Sequence, residues 1–234
     1  MPYTECDRRP RSVPWRWVQW TALLGALVAC GDGSAPSTEG ALEQATFAPE
    51  CGSLNQACLQ FGLDAPIATG ASVPMSINFQ ILGSSGPPIR LETVMPGVLE
   101  VNGSTVLANQ EGSTAMLVFG PDNVILDFIH LWVADPDQLQ LIRRGDEGQV
   151  VGTLQTEVQM LPGDELRVSV EPYGGAQPLL GLFEADWTIE GGAVMVVRDG
   201  IAGWYRIVAR EAGTATLNAS ALGLEVPLTV EVLP

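Results

Sequence analysis

Lysine is absent. All 11 basic residues of the 234-residue chain are Arg, against 27 Asp and Glu, for a formal charge of −16. So acidic a chain cannot neutralise a phosphate backbone, and nucleic acid is excluded as a partner. Histidine is as scarce. His130 is the only one, and no Gly-x-Ser-x-Gly elbow accompanies it, so a hydrolase triad has nothing to be built from. The four cysteines, Cys6, Cys30, Cys51 and Cys58, include no pair at redox spacing, and one His cannot complete a zinc site. No Gly-rich phosphate loop opens a helix, and no segment keeps a 3.6-residue periodicity. Apolar runs are short: the longest, Trp17 to Ala29, falls below the roughly 20 residues a membrane span needs. Neither a cofactor nor a catalytic residue is expected.

What is present begins at the N-terminus. Arg8, Arg9, Arg11 and Arg16 precede the apolar run, which ends Leu27-Val28-Ala29-Cys30. A cationic start, a short apolar segment and small residues make a secretory signal. The last four residues also resemble the lipobox of bacterial lipoproteins. That resemblance implies a signal peptide at 1–29, cleavage before Cys30, and lipid attachment at Cys30. Each buried acyl methylene contributes about 0.8 kcal/mol, so two or three chains anchor firmly. Gly31, not Asp, follows the cysteine, which by the same resemblance implies the outer membrane of a Gram-negative bacterium. An ordinary cleaved signal is the competing reading. Removing 1–29 leaves 7 Arg and 25 acidic residues. Residues 30–50, rich in Gly, Ser, Ala, Thr and Glu, read as a flexible tether. With Cys30 lipidated, Cys51 and Cys58 are an even pair in an oxidising compartment, and a disulfide between them would contribute about 2.5 kcal/mol.

The rest of the chain states one pattern twice. Gly112-Ser113-Thr114-Ala115-Met116-Leu117 is echoed by Gly213-Thr214-Ala215-Thr216-Leu217. Val106 and Ala108, six and four residues before the first Gly, match Ile207 and Ala209 before the second. Upstream, Leu91, Val98 and Val101 align with Trp187, Val194 and Val197, and Gly70-Ala71-Ser72-Val73 with Gly163-Asp164-Glu165-Leu166. Asn102-Gly103 signals a tight hairpin in the first copy, where the second has the longer Asp199-Gly200-Ile201-Ala202-Gly203. Each copy closes on an alternating strand. Ile129, Leu131 and Val133 point inward in the first, and Leu228, Val230 and Val232 in the second.

These tokens, in this order, resemble the group-2 bacterial immunoglobulin-like domains of intimin and invasin. The match rests on Trp187-Thr188-Ile189, Ile207-Val208-Ala209, Gly213-Thr214-Ala215-Thr216-Leu217 and the final Val-rich strand. It implies an all-β chain with two tandem Ig-like β-sandwiches, at 51–135 and 136–234. The first copy is weaker, having Leu91 in place of Trp. One large sandwich or barrel across both copies is the alternative. Asp135-Pro136-Asp137 is the expected linker, and its proline suggests a stiff, rod-like tandem.

Such modules imply a non-catalytic role: display, spacing or adhesion at the cell envelope, with a protein or glycan ligand. A structural subunit of an envelope secretion or transport complex is the alternative. Trp204, Trp132 and His130 are the candidate binding surface, Trp204 first, since both Trp fall on outward positions and His130 points away from the core; the competing reading has Trp132 covering the joint between the domains and Trp204 packing under its own hairpin or a loop. Trp187 belongs to the core. Asp135 and Asp137, with Glu100 or Asp127, do not by themselves assemble the six to eight oxygens of a calcium site. No metal is therefore expected.

Overall fold

Short β-branched and apolar runs separated by Gly, Pro and Asn fold into nineteen strands and one α-helix among the described residues. The structure, a computed structural model, describes residues 35–50, 56–79, 88–200 and 203–234, all inside the unit Gly33–Pro234. The signal peptide, Cys30 and Cys51 lie outside the described residues.

The first sandwich contains β1 (Thr38–Glu39), β2 (Ala45–Pro49), α1 (Gln56–Phe61), β3 (Ile67–Ala68), β4 (Ser72–Phe79), β5 (Arg90–Thr93), β6 (Leu99–Asn102), β7 (Thr105–Ala108), β8 (Gly112–Phe119) and β9 (Ile125–Ala134). Its sheets run β1-β2-β4-β7-β6 and β3-β9-β8-β5. The second contains β10 (Gln138–Arg144), β11 (Val150–Thr153), β12 (Glu157–Met160), β13 (Glu165–Gly174), β14 (Gln177–Pro178), β15 (Asp186–Glu190), β16 (Val194–Arg198), β17 (Trp204–Ala209), β18 (Gly213–Ala221) and β19 (Leu224–Val232). Its sheets run β11-β10-β13-β17-β16, with β14 on β13, and β12-β19-β18-β15. In each half the first long strand pairs with the second, and the two hairpin strands of the middle complete that sheet. The other sheet holds the last two strands and the strand before the hairpin. This is the immunoglobulin arrangement of two Greek-key sheets. The chain is all-β, with two tandem Ig-like sandwiches.

The expected inward residues make the cores. Val106, Leu131 and Met116 are fully buried in the first, with Phe47, Val73 and Leu99. Ile207, Leu217, Leu228 and Val230 are fully buried in the second. Each such side chain contributes about 1.5–3 kcal/mol by leaving water. The repeat survives in the hydrogen bonding: Val73 sits opposite Val106 as Leu166 sits opposite Ile207. Leu91 opposite Val118 likewise matches Trp187 opposite Ala219. Trp187 is partly buried against the second core, its ring 5.3 Å from that of Tyr205.

Three sequence expectations need correction. Residues 30–50 are not a free tether throughout. β2 lies antiparallel to β4 with Ala45 opposite Phe79, and Phe47 is completely buried. A segment that buries a Phe and pairs five residues has traded its freedom for core, so the first sandwich starts well before 51. Second, the alignment slips by one residue at β6 and β16. Leu99 faces Ala108 where Val194 faces Ala209, and Val101 faces Val106 where Val196 faces Ile207. The partners of Val98 and Val101 are thus Ala193 and Val196; a one-residue error exchanges the faces of a strand. Third, the tight hairpin closes between Asn102 and Thr105, so its loop residues are Gly103 and Ser104.

Candidate functional site

The linker Asp135–Asp137 is only part of the joint. β13 leads through β14 to Leu179–Leu182, and this stretch leaves its own sandwich to pair with the other. Leu180 N–H donates to the Pro66 carbonyl at 2.8 Å and the Leu180 carbonyl accepts Ala68 N–H at 2.8 Å. Ser72 and Leu182 exchange both backbone bonds, at 3.0 and 2.7 Å. Leu180 is fully buried within the first sandwich's core, while Leu179, Ala68 and Ala71 form a small apolar cluster of their own. Gly181 lies between them at φ +139°, and a Cβ there would come within 2.4 Å of Ala71 Cβ. The Thr69 hydroxyl donates to Asp135 at 2.6 Å, tying the linker to the same region.

Beside the joint, the outer face of the second sandwich's first sheet is buried where a solvated face would be expected. Arg144, at the end of β10, and Ser169 and Glu171, on β13, are all nearly inaccessible. Arg144 Nη2 is paired with Glu171 Oε1, Arg144 Nε donates to Ser169 Oγ at 2.8 Å, and Ser169 Oγ donates to Glu171 at 3.1 Å. Burial pushes the Glu171 carboxyl above the usual glutamate range. Arg144, the Ser169 hydroxyl and the backbone N–H of Gln56, at the start of α1 in the first sandwich, act in the opposite direction. Trp204 completes the cluster, with the Arg144 guanidinium 5.5 Å from its ring centroid. Gly148, in the β10–β11 turn, packs on that ring so closely that a Cβ would lie 2.6 Å from it. Trp204 is therefore 4% exposed and cannot be a contact surface, which corrects its place in the candidate binding surface and agrees with the competing reading that a loop packs over it. It does occupy an outward strand position, but the β10–β11 hairpin folds over it.

His130 and Trp132 stand differently. They alternate with Ile129, Leu131 and Val133 on β9, so they share the outer face, about 7 Å apart. Trp132 is 51% exposed and His130 is exposed. Small residues lie opposite them on β8, Ser113 across from Trp132 and Ala115 across from His130, which leaves both rings uncovered. Phe128 meets His130 edge-to-face at 5.6 Å. Of the three candidate surface residues, the structure brings these two together.

Three of the acidic residues weighed for calcium, Asp135, Asp137 and Asp127, are occupied as acceptors. Asp137 accepts Gly175 N–H at 2.8 Å, and Asp135 accepts Thr69. Asp127 accepts four backbone N–H groups: Leu42 at 2.9 Å, Gln44 at 2.9 Å, Ala45 at 2.8 Å and Phe128 at 2.8 Å. Those bonds outweigh the desolvation of a completely buried carboxylate and hold its pKa below the ordinary aspartate value. Among the described residues, no group of three or more His, Cys, Asp or Glu could hold a metal ion. Cys58 is buried and disulfide-bonded.

Two features here escaped the sequence. Asp127 had a signal: it stands in the inward register of an alternating strand, and a charge there must be satisfied. Arg144 and Glu171 had none, because the groups that meet them, Trp204 at Arg144 and the Gln56 backbone N–H at Glu171, are far away in sequence.

These elements define a tandem Ig-like β-sandwich protein with a joint bridged by backbone hydrogen bonds and an exposed aromatic pair on β9. No protein-family model and no curated protein matches the chain. Among solved structures it is similar to domains 4 and 5 of the S-layer protein SbsC, at 17% identity over 62% of this chain and 77% of that one, with a TM-score of 0.28. The D0–D1 domain of intimin is similar at 16% identity, 73% and 96% coverage and TM-score 0.27. A chimeric titin Z1Z2 is similar at 14% identity, 71% and 90% coverage and TM-score 0.31. The chain spans 28% of the longer SbsC domains 1–6. Likeness at this level carries no inference about activity, partner or location.

Proposed function

We propose that this is a non-catalytic, lipid-anchored protein of the bacterial cell envelope, exported by the 1–29 signal and held by acyl chains on Cys30 in the outer membrane. Its two Ig-like modules act as a spacer of fixed geometry that displays a contact surface. The observation that carries the spacer reading is the placement of Leu180, from the second sandwich, inside the core of the first. A joint sharing a core residue and four backbone bonds holds an angle better than a three-residue linker does. The contact surface is the Trp132–His130 face, whose exposed indole beside polar Ser113 suits a sugar ring or a protein partner. Nucleic acid is disfavoured as a partner, because Arg90, Arg144, Arg167, Arg198 and Arg206 are each already paired with a carboxylate. Cys51 is the proposed partner of Cys58.

The test is whole-cell display of the full chain. Labelling with an alkyne-tagged palmitate should mark the wild type and not Cys30→Ser. Trp132→Ala should reduce binding to cells or polysaccharide while leaving the melting temperature unchanged. Unlabelled wild type overturns the anchor; undiminished binding by Trp132→Ala overturns the surface. Recovery of a stoichiometric partner from solubilised membranes would favour an envelope-complex subunit instead.

A further inference from the structure

Asn102–Gly103 is the one Asn-Gly pair in the chain. It sits at the turn between β6 and β7, where Asn102 pairs with Thr105 and the loop is Gly103 and Ser104. Asn102 is exposed, and Gly103 holds φ +65° with nothing within 4 Å of where a Cβ would stand. The fold treats the other described asparagines differently. Asn78 donates to Ser76, Asn109 to the Pro96 carbonyl at 3.3 Å and Asn218 to Glu225 at 2.8 Å, while Asn123 accepts from Arg90 at 2.9 Å. Among the described residues, neither the Asn102 side-chain amide nor the Gly103 N–H has a hydrogen-bond partner. Asp199, which precedes Gly200 in the second sandwich's hairpin, is by contrast ion-paired with Arg167 at 3.2 Å and Arg206 at 2.7 Å.

We propose that Asn102 is a site of spontaneous covalent modification, deamidating through an imide formed with the Gly103 backbone. The Gly103 nitrogen gives its proton to hydroxide and attacks Asn102 Cγ. The new N–Cγ bond closes a five-membered ring, the Cγ–NH2 bond breaks, and the amine leaves as ammonia with a proton from water. Water then opens the ring at either carbonyl. Breaking the new N–Cγ bond gives aspartate; breaking the original backbone N–C bond gives isoaspartate, whose chain runs through Cβ and Cγ. The net change is an amide and water converted to a carboxyl and ammonia, with water as the co-reactant. Glycine at 103 leaves room for the ring, since it brings no Cβ against it. The backbone must turn out of strand geometry for the attack, and position 102 ends a four-residue strand at the free edge of its sheet, where such fraying costs least. Both products place a new negative charge two residues from Glu100, on the same face of β6. Isoaspartate also lengthens the chain by an atom beside a two-residue loop. The Asn102–Thr105 pair is then lost, and β6 peels from β7 toward Val101, which is packed against the first core opposite Val106.

The experiment incubates the full-length protein at pH 6 and pH 8 and follows it by peptide mapping, with fragmentation that separates aspartate from isoaspartate. The peptides holding Asn78, Asn109, Asn123 and Asn218 are internal controls. The Asn102 peptide should convert to both products, faster at pH 8, while the controls keep their amides. The products at 102 should be lost altogether in Asn102→Gln, whose extra methylene disfavours the ring. Amide hydrogen exchange across β6 and β7 should quicken in the converted fraction. Asn102→Asp, which carries the charge on an ordinary backbone, should exchange like fresh wild type. An Asn102 that converts no faster than Asn109 or Asn218 overturns the site. Conversion that leaves exchange in β6 unchanged overturns the loss of pairing. An Asn102→Asp protein that exchanges as fast as the converted one overturns the part assigned to the lengthened backbone.

Discussion

The Asp127 carboxylate accepts the Ala45 backbone N–H at 2.8 Å, and that bond ties β2, in a stretch composed like a linker, to β9 of the first sandwich. Three further N–H groups converge on the same carboxylate. Asp127→Ala leaves four donors without their acceptor, at a cost of about 3 kcal/mol. Denaturant unfolding should show that loss, and limited proteolysis should cut first between residues 38 and 49.

The pH dependence of this region and of Glu171 runs in opposite directions. The Asp127 pKa is lowered in the folded state, so its contribution is present above about pH 3.8 and is lost as pH falls through the folded value. The Glu171 pKa is raised, so the folded state keeps a proton that the unfolded chain releases, and stability falls as pH rises from about 4.5 toward the folded value. Melting from pH 3 to 7 should show the Asp127→Asn difference from wild type shrinking below pH 3.8. The Glu171→Gln difference should shrink as pH rises above 4.5.

Arg144 and Glu171 form a buried pair whose members cannot be removed singly without harm. Arg144→Met leaves an uncompensated buried carboxylate and should cost about 3–5 kcal/mol. The double variant Arg144→Met, Glu171→Leu should recover most of that, since apolar residues of similar volume replace such pairs with little loss. A double-mutant cycle by equilibrium unfolding measures the coupling directly.

Gly181 holds the joint closed because nothing larger fits against Ala71. Gly181→Ala should loosen the two sandwiches, costing about 2 kcal/mol from overlap and backbone strain. Ala71→Gly should restore the overlap part only. Calorimetry should show the wild type unfolding in one transition and Gly181→Ala broadening or splitting it.

Much of this architecture was legible. The paired tokens beginning at Gly112 and Gly213 and the alternating closing strands located β8, β9, β18 and β19 and their buried faces, because period-2 patterning is local. The uncovered His130 and Trp132 followed from the same alternation. For Trp204 two readings stayed open and the pairing of residues 38–49 was not readable, since alternation says which way a side chain points but not what lies over it. Trp204 is capped by a neighbouring hairpin, and β2 is recruited by a carboxylate more than 80 residues away. The Leu179–Leu182 exchange was hidden for the same reason: a short apolar run looks alike in either core.

The state of Cys30 decides whether this protein is lipid-anchored, and intact mass spectrometry of the protein extracted from its native membrane measures that directly. A chain that begins at Cys30 and carries the added mass of acyl groups is the expected result. A chain that retains residues 1–29, or begins at Cys30 with an unmodified thiol, would contradict it.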